Sequence, residues 1–221
     1  MNSTLVDDAV ERLSRQLPLQ ARQSALTSVL RRLHQSVIES LVLQGRPPSD
    51  EEIVSLVGTD QADAAVRRLG GDDLVVLSTD RRSIVGAYPV TTETTPHEVH
   101  VSGHLIYAMC ALDAVSVAPM FGMPVEICSH CRVTDEFVCI KQDGERVLEA
   151  APAGVRVGVR WQMPSGDHAA HSMCREMIFL RDDAAAAEWS RGDRQNHSVF
   201  TLEEAVEFGT RTFRPLLERA N

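Results

Sequence analysis

From Leu105 to Pro119 the chain reads LIYAMCALDAVSVAP, an apolar run that belongs in a protein interior. It falls short of the roughly 20 residues of a membrane span. Its composition predicts a buried helix, ended by Pro119. Cys110 and Asp113 interrupt it, and three residues apart they would share a helix face. A carboxyl in such surroundings needs a partner or a function. Burial favours its protonated form, so Asp113 is a candidate proton donor or shuttle, the alternative being a cap on a nearby backbone turn. Cys110, taken alone, reads as core.

The rest of the chain supports an ordinary globular interior. It has 221 residues, 43% of them hydrophobic, and no apolar stretch of 18. With 22 basic and 31 acidic residues the formal charge is −9, which disfavours a general nucleic-acid binder. The start, MNSTLVDDAVERLSRQ, lacks the basic and apolar regions of a secretory signal, so a cytoplasmic location is expected. Five cysteines then read as free thiols, serving as core, metal ligands or nucleophiles, rather than as a disulfide framework.

The front of the chain predicts a small helical module. Leu5, Val6, Val10, Leu13 and Leu17 have helical spacing, and a second stripe runs from Ser24 to Leu43 before Gly45, Pro47 and Pro48. Ser49 with Glu52 forms a capping box for a short helix that Gly58 ends, and Thr59 can cap the next. A hairpin comes next, from Leu74 to Tyr88. This is the element order of a winged helix-turn-helix, with Gln61 to Arg68 in the place of a recognition helix. Aspartates 60, 63, 72 and 73 beside that helix favour a structural module over DNA binding. The Thr- and Pro-rich stretch PVTTETTPH marks a boundary near residue 90.

Strands dominate the chain beyond this boundary: Glu98–Val101, the segment before Cys128, Phe137–Ile140 turning at Gln142–Glu145 into Arg146–Leu148, Val155–Trp161 and Met177–Leu180. Asp182 or Asp183 starts an Ala-rich helix, and Thr201 with Glu204 caps a final one. The fold class is therefore α+β. A helical extension and winged-helix-like domain is expected over residues 1–90. A mainly antiparallel β-sheet domain with flanking helices, the catalytic one, is expected over 91–221.

Thiols and imidazoles raise further possibilities. Cys128 and Cys131 form a CxxC, and Cys139 comes after it, so a structural zinc is conceivable with His130 or Cys174 as fourth ligand. The strand-like residues after Cys131 disfavour a thioredoxin-type redox pair. His168, His171 and Cys174 would align on a helix, a second conceivable metal set.

The ordered set Cys-Ala-Leu-Asp at 110–113, Ser-His-Cys at 129–131 and Ser-Met-Cys at 172–174 resembles the organomercurial lyase, or alkylmercury lyase, family. Glu204-Ala205 before Phe208-Gly209 adds to the likeness, which spans about residues 25–217 and is strongest over 105–180. The resemblance implies a front domain that does not bind DNA. It implies that Cys110 and Cys174 are the catalytic thiols and mercury ligands, that Asp113 handles the proton, and that Cys131 is structural. It also implies a small organomercurial substrate, no required cofactor, and Hg(II) held as product until low-molecular-weight thiols or a mercuric reductase accept it. Two departures stand out: Arg175 comes after Cys174 where the family often has another cysteine, and the CxxC is an addition that could hold mercury or zinc adventitiously.

The residue types suit that chemistry on their own terms. Mercury is soft and prefers thiolates to oxygen or nitrogen donors. Two thiols can hold the metal while a positioned carboxyl protonates the departing carbon. The alternative built from the same residues is a thiol-based soft-metal-binding or metal-sensing transcriptional regulator, which would need the cysteines and a DNA site but not Asp113.

Overall fold

The apolar run is not one helix. In the computed structural model, which describes residues 3–165, 168–193 and 195–218, it divides at Cys110 into a strand and a helix. Strand β5 (His104–Ala108) brings the chain in, and helix α6 (Ala111–Phe121) carries it on. Pro119 lies inside α6, and the helix ends at Gly122 in the left-handed conformation (φ 63°). A proline there leaves the carbonyl of Val115 without its helical donor. Gln142 supplies one from a neighbouring strand, its Nε2 donating to Val115 O at 3.0 Å. Arg214 donates twice to the carbonyl of Pro119 itself. Sequence periodicity carries no trace of these two partners, which is why the proline looked like a stop.

Around this unit the fold is mixed α and β. Ahead of it come helices α1 (Ser3–Gln16), α2 (Leu19–Ser24), α3 (Ser28–Gln44), α4 (Asp50–Val57) and α5 (Ala62–Gly71), then strands β1 (Val75–Leu77), β2 (Ile84–Ala87), β3 (Val90–Thr91) and β4 (Glu98–Val101). The stripe expected from Ser24 is broken: Thr27 caps α3 through the N–H of Leu30, and α2 is a separate short helix. The capping box at Ser49 and Glu52 forms as expected. Thr59 instead opens a 3-10 turn and caps nothing with its side chain.

After α6 come β6 (Pro124–His130), β7 (Phe137–Asp143), β8 (Arg146–Ala151), β9 (Arg156–Arg160), β10 (Met177–Leu180), α7 (Asp183–Trp189), β11 (His197–Thr201) and α8 (Leu202–Phe213). Strand β11 has no counterpart among the sequence expectations. Every pairing among these strands is antiparallel. The large sheet runs β1-β2-β3-β5-β4-β6-β7-β8, and a smaller one runs β10-β9-β11. The hairpin β1–β2 is thus continuous with the large sheet, joined through β3 at residue 90.

Helix α6 packs between the large sheet on one side and α8 with β10 on the other. Its residues from Ala111 to Met120 are all buried, which accounts for a composition apolar on every face. Gly209 of α8 permits the approach: a Cβ there would stand 2.0 Å from Ser116 Oγ. The front helices close the other end of α8. Gln20 donates to the carbonyls of Arg211 and Thr212, and Gln23 and Gln35 donate to that of Leu216. These are acceptors that a helix end leaves without partners.

Candidate active site

Cys110 occupies the corner between β5 and α6. Its backbone is extended (φ −157°, ψ 177°), and its sulfur accepts the N–H of Asp113 at 3.3 Å. A thiol therefore fills the N-cap role usually taken by a hydroxyl or carboxylate. Cys110 and Asp113 are brought together by a helix cap and not by a shared helix face.

Cys174 arrives from a distant part of the chain. It lies in a 3-10 turn, Met173–Glu176, that leads directly into β10. Beside α6, this turn sets Cys174 against Cys110 and Asp113. The two sulfurs and a carboxylate oxygen all lie within 4.8 Å of one another, and all three residues are buried. The Cys110 thiol also meets the Met177 sulfur at 3.8 Å.

Burial governs the ionisation of this cluster. It pushes the Asp113 carboxyl up to about 7, against the opposing effect of a hydrogen bond with Cys110. One carboxyl oxygen, Oδ2, is buried with no hydrogen-bond partner. A buried polar atom left so is costly unless something else occupies its reach. Burial raises Cys110 well above the usual thiol range, aided by Cys174 and by the charge on Asp113. Cys174 is drawn down by its hydrogen bond with Cys110, but burial and the charges of Asp113 and Asp73 outweigh this and leave it raised. Arg175 lines an adjoining cleft.

That cleft, of about 580 Å³, is not lined by Cys110, Asp113 or Cys174 themselves. Met109, Arg175 and Ile178 line it and are close in sequence to the three cluster residues. His97 and Phe179 form another wall, ring edge to ring face with centroids 5.6 Å apart. Ser129 fixes His97 through Nδ1 at 2.9 Å, and burial lowers this imidazole to about 4, so it is neutral.

A second set of residues holds the 3-10 turn Ala169–His171 that comes just before the Cys174 turn, and nothing in the sequence pointed to it. Asp73 sits in the left-handed region (φ 51°), a conformation that aspartate tolerates. It accepts hydrogen bonds from Tyr88 Oη at 3.0 Å and from the N–H of Ala169 at 3.2 Å, with His168 Nδ1 also at 3.0 Å and Arg22 at 3.3 Å. Tyr88 Oη in turn accepts the N–H of Ala170. In sequence Asp73 looked like part of an acidic surface and Tyr88 like the end of a hairpin.

The other expected metal sets do not assemble. His168 turns to Asp73, and residues 168–176 form 3-10 turns and not a helix, so His168, His171 and Cys174 are not aligned. Cys131 is buried past the end of β6, where its sulfur accepts the N–H of Arg181 at 3.3 Å. Burial raises its thiol, but several hydrogen bonds, from Thr134, Val133 and Arg181, bring it below the usual range. Cys128 faces Cys139 instead, across β6 and β7. Among the described residues, two clusters have metal-ligand spacing: Cys110, Asp113 and Cys174, and a more exposed group of Glu126, Cys128 and Cys139.

Known proteins resemble the chain. An alkylmercury lyase from Staphylococcus epidermidis is 27% identical over 173 residues, covering 76% of each chain. One from Bacillus cereus is 26% identical over 132 residues, 59% of each chain. A crystal structure of the mercury-bound form of MerB2 superposes with a TM-score of 0.74 over 97% of this chain and all of that one, at 19% identity, which establishes a shared fold. The alkylmercury lyase (MerB) family model matches residues 90–214, more than half of the chain and a segment that holds Cys110, Asp113 and Cys174. The chain belongs to the alkylmercury lyase family.

Proposed function

We propose that the chain cleaves the carbon–mercury bond of alkyl- and arylmercury compounds by protonolysis, with Cys110, Cys174 and Asp113 as its reacting groups. The observation that carries this reading is the buried convergence of two thiols with a carboxyl whose Oδ2 has no partner. Both thiols begin protonated, as their raised ionisation requires. One displaces the leaving group X from R–Hg–X, forming a sulfur–mercury bond and releasing HX. The second thiol passes its proton to Asp113 as its sulfur joins the metal. Asp113 delivers that proton to the carbon, the carbon–mercury bond breaks, and R–H departs. Hg(II) is left between two sulfurs, and the carboxylate is restored. A carboxyl poised near 7 can both take and give a proton near neutrality.

No additional cofactor enters these steps. Small thiols, or a mercuric reductase, would take the metal by thiol exchange. The five free cysteines suit a reducing cytoplasm. Among the described residues, no helix is long and apolar enough to cross a membrane.

The front part, residues 1–90, serves in this reading as a winged-helix-like cover and not as a DNA reader. Arg67 and Arg68 on α5 are paired with Asp63 and Asp72. The glutamines of α2 and α3 are committed to carbonyls at the end of α8 and just beyond it. This also weighs against the metal-sensing alternative.

The test is anaerobic incubation of the protein with phenylmercury and excess thiol, measuring benzene. Repeated release per chain, lost in Asp113→Ala and in Cys174→Ala, is the expected result. Tight mercury binding without benzene would favour the sensing reading.

A further inference from the structure

The CxxC spacing drew attention to Cys128 and Cys131, but the sheet pairs Cys128 with Cys139. The two are directly opposite in the β6–β7 register. Directly opposed residues have side chains on one face of a sheet, with Cβ atoms roughly 4.5–5.5 Å apart. Along β6, Val125, Ile127 and Ser129 point into the core while Glu126 and Cys128 point outward. Along β7, Val138, Ile140 and Gln142 point inward while Cys139 and Lys141 point outward. Both thiols are half-buried on the outer face, unlike the enclosed pair at Cys110 and Cys174.

Their sulfurs and a carboxylate oxygen of Glu126 lie within 4.8 Å of one another. Two metal–thiolate bonds of ~2.3 Å, the length known for zinc, placed end to end span about that distance. The thiol of Cys139 already donates to Glu126 Oε1 at 3.4 Å. Glu98 stands opposite Cys128 on β4, so two carboxylates flank the sulfurs. Lys141, opposite Glu126 on the same outer face and paired with Glu149, is the neighbouring cation.

We propose that Cys128 and Cys139 form a second, surface mercury site, a dithiol that chelates Hg(II) apart from the catalytic cluster. The site follows from the sheet register; the choice of mercury as its natural occupant rests on the lyase reading. A tetrahedral zinc site wants four donors, and this cluster provides three. Mercury bound by two thiolates needs no more than the sulfurs, and its softness leaves Glu126 as a neighbour and not a required ligand. Capture involves no change of oxidation state. Hg(II) arrives as a complex with two small thiolates. Two sulfur–mercury bonds to those thiolates break and two to Cys128 and Cys139 form. The protons of the two cysteines leave on the released small thiols.

The experiment measures mercury retained by reduced protein. Mercuric chloride is added anaerobically in excess, and the protein is desalted into buffer containing a monothiol competitor at a concentration stoichiometric with the protein, far below the excess that strips the catalytic pair during turnover. A single buried thiol such as Cys131 loses its metal to that competitor, whereas a chelating pair keeps it. Wild type is expected to retain two equivalents of mercury per chain. Cys128→Ser, Cys139→Ser and their double variant should each retain one and still release benzene at the wild-type rate. Cys110→Ser/Cys174→Ser should release no benzene yet keep one equivalent, and thermal melts confirm that each variant is folded. Loss of all mercury from a folded Cys110→Ser/Cys174→Ser variant overturns the proposal. So does retention of two equivalents by Cys128→Ser/Cys139→Ser. With zinc chloride as the probe, the same desalting should strip the metal; retention of zinc without mercury also overturns it. If wild type makes no benzene but Cys110→Ser/Cys174→Ser holds mercury, the lyase reading fails and the surface site stands.

Discussion

The sulfur of Cys110 accepts the backbone N–H of Asp113 at 3.3 Å, so one residue is both the N-cap of α6 and a member of the thiol–carboxyl cluster. The helix that carries the proposed proton donor is thereby anchored by the proposed mercury ligand.

The two roles of Cys110 can be separated. Serine is a better cap than cysteine, while its oxygen is a poor mercury ligand. Cys110→Ser should melt within a few degrees of wild type and release no benzene. Cys110→Ala, which removes the cap as well, should lose on the order of 1 kcal/mol more stability. Urea unfolding of the two variants checks this, and equal losses would show that the cap is unimportant.

Asp113 should make the protein less stable than it could be. Its carboxyl ionises at about 7 in the folded chain and near 3.8 when unfolded. Between those values the folded state binds the extra proton, so this group's contribution to stability falls as pH rises from about 4 to about 7. His34 and His97 act in the opposite sense. Burial lowers each to about 4 from 6.5, so their contributions are present above 6.5 and are lost as pH falls towards 4. Asp113→Asn should therefore be more stable than wild type at pH 8, by an amount on the order of a few kcal/mol. The gap should close near pH 4, where the wild-type carboxyl is protonated. Urea unfolding at pH 8 and pH 4.5 measures both. A gap independent of pH would mean that ionisation of Asp113 is not its source.

Much of this architecture was legible in residue order, and the failures have identifiable causes. The capping boxes at Ser49 and Thr201 formed as expected because their partners are three residues away. The strands β6 and β7 were visible for the same local reason. The run from Leu105 to Pro119 misled because a strand and a helix buried on all sides have the same composition. The long-range donors of Gln142 and Arg214 decide that Pro119 sits within a helix. In the candidate site, Asp113 was singled out by its apolar surroundings, and Cys110 and Cys174 by their place in a family pattern. Asp73 and Tyr88 were not, since their importance arises from hydrogen bonds to residues 168–170, far along the chain. The juxtaposition of Cys128 with Cys139 was not read from the sequence, because CxxC spacing is local and strand register is not.

The Asp73 network gives a positioning role that can be distinguished from mere structure. Its negative charge is one cause of the raised Cys174 thiol, and its oxygens hold the turn before Cys174. Asp73→Asn should shift the pH midpoint of Cys174 alkylation downward, as removing a nearby negative charge favours the thiolate. Tyr88→Phe removes the hydroxyl that bridges Asp73 and Ala170 but no charge. It should lower stability by roughly 1–3 kcal/mol and leave the midpoint higher than in Asp73→Asn. Peptide mapping of Cys174 after timed alkylation gives both midpoints. Identical midpoints in the two variants would reduce Asp73 to a structural support.

Gly209 ties the packing of the fold to the position of Asp113. Ser116 lies one turn along α6 from Asp113, and its hydroxyl donates to the carbonyl of Leu112 at 2.6 Å. An added methyl at Gly209 would stand 2.0 Å from that hydroxyl oxygen and 3.1 Å from its Cβ. The oxygen cannot withdraw without losing its acceptor, and α6 is held from behind by the large sheet. Alanine is intrinsically favoured over glycine within a helix by about 1 kcal/mol. Overpacking of a filled core typically costs about 1–3 kcal/mol, so the clash should prevail. Gly209→Ala is expected to be destabilised and to lose benzene release disproportionately, because the helix that must give way carries Asp113. Gly209→Ala/Ser116→Ala removes the obstructing hydroxyl and should recover most of both. Paired urea titrations and single-turnover benzene assays on the two variants provide the comparison. If the second substitution restores stability but not turnover, the close approach of α8 to α6 matters for the fold alone.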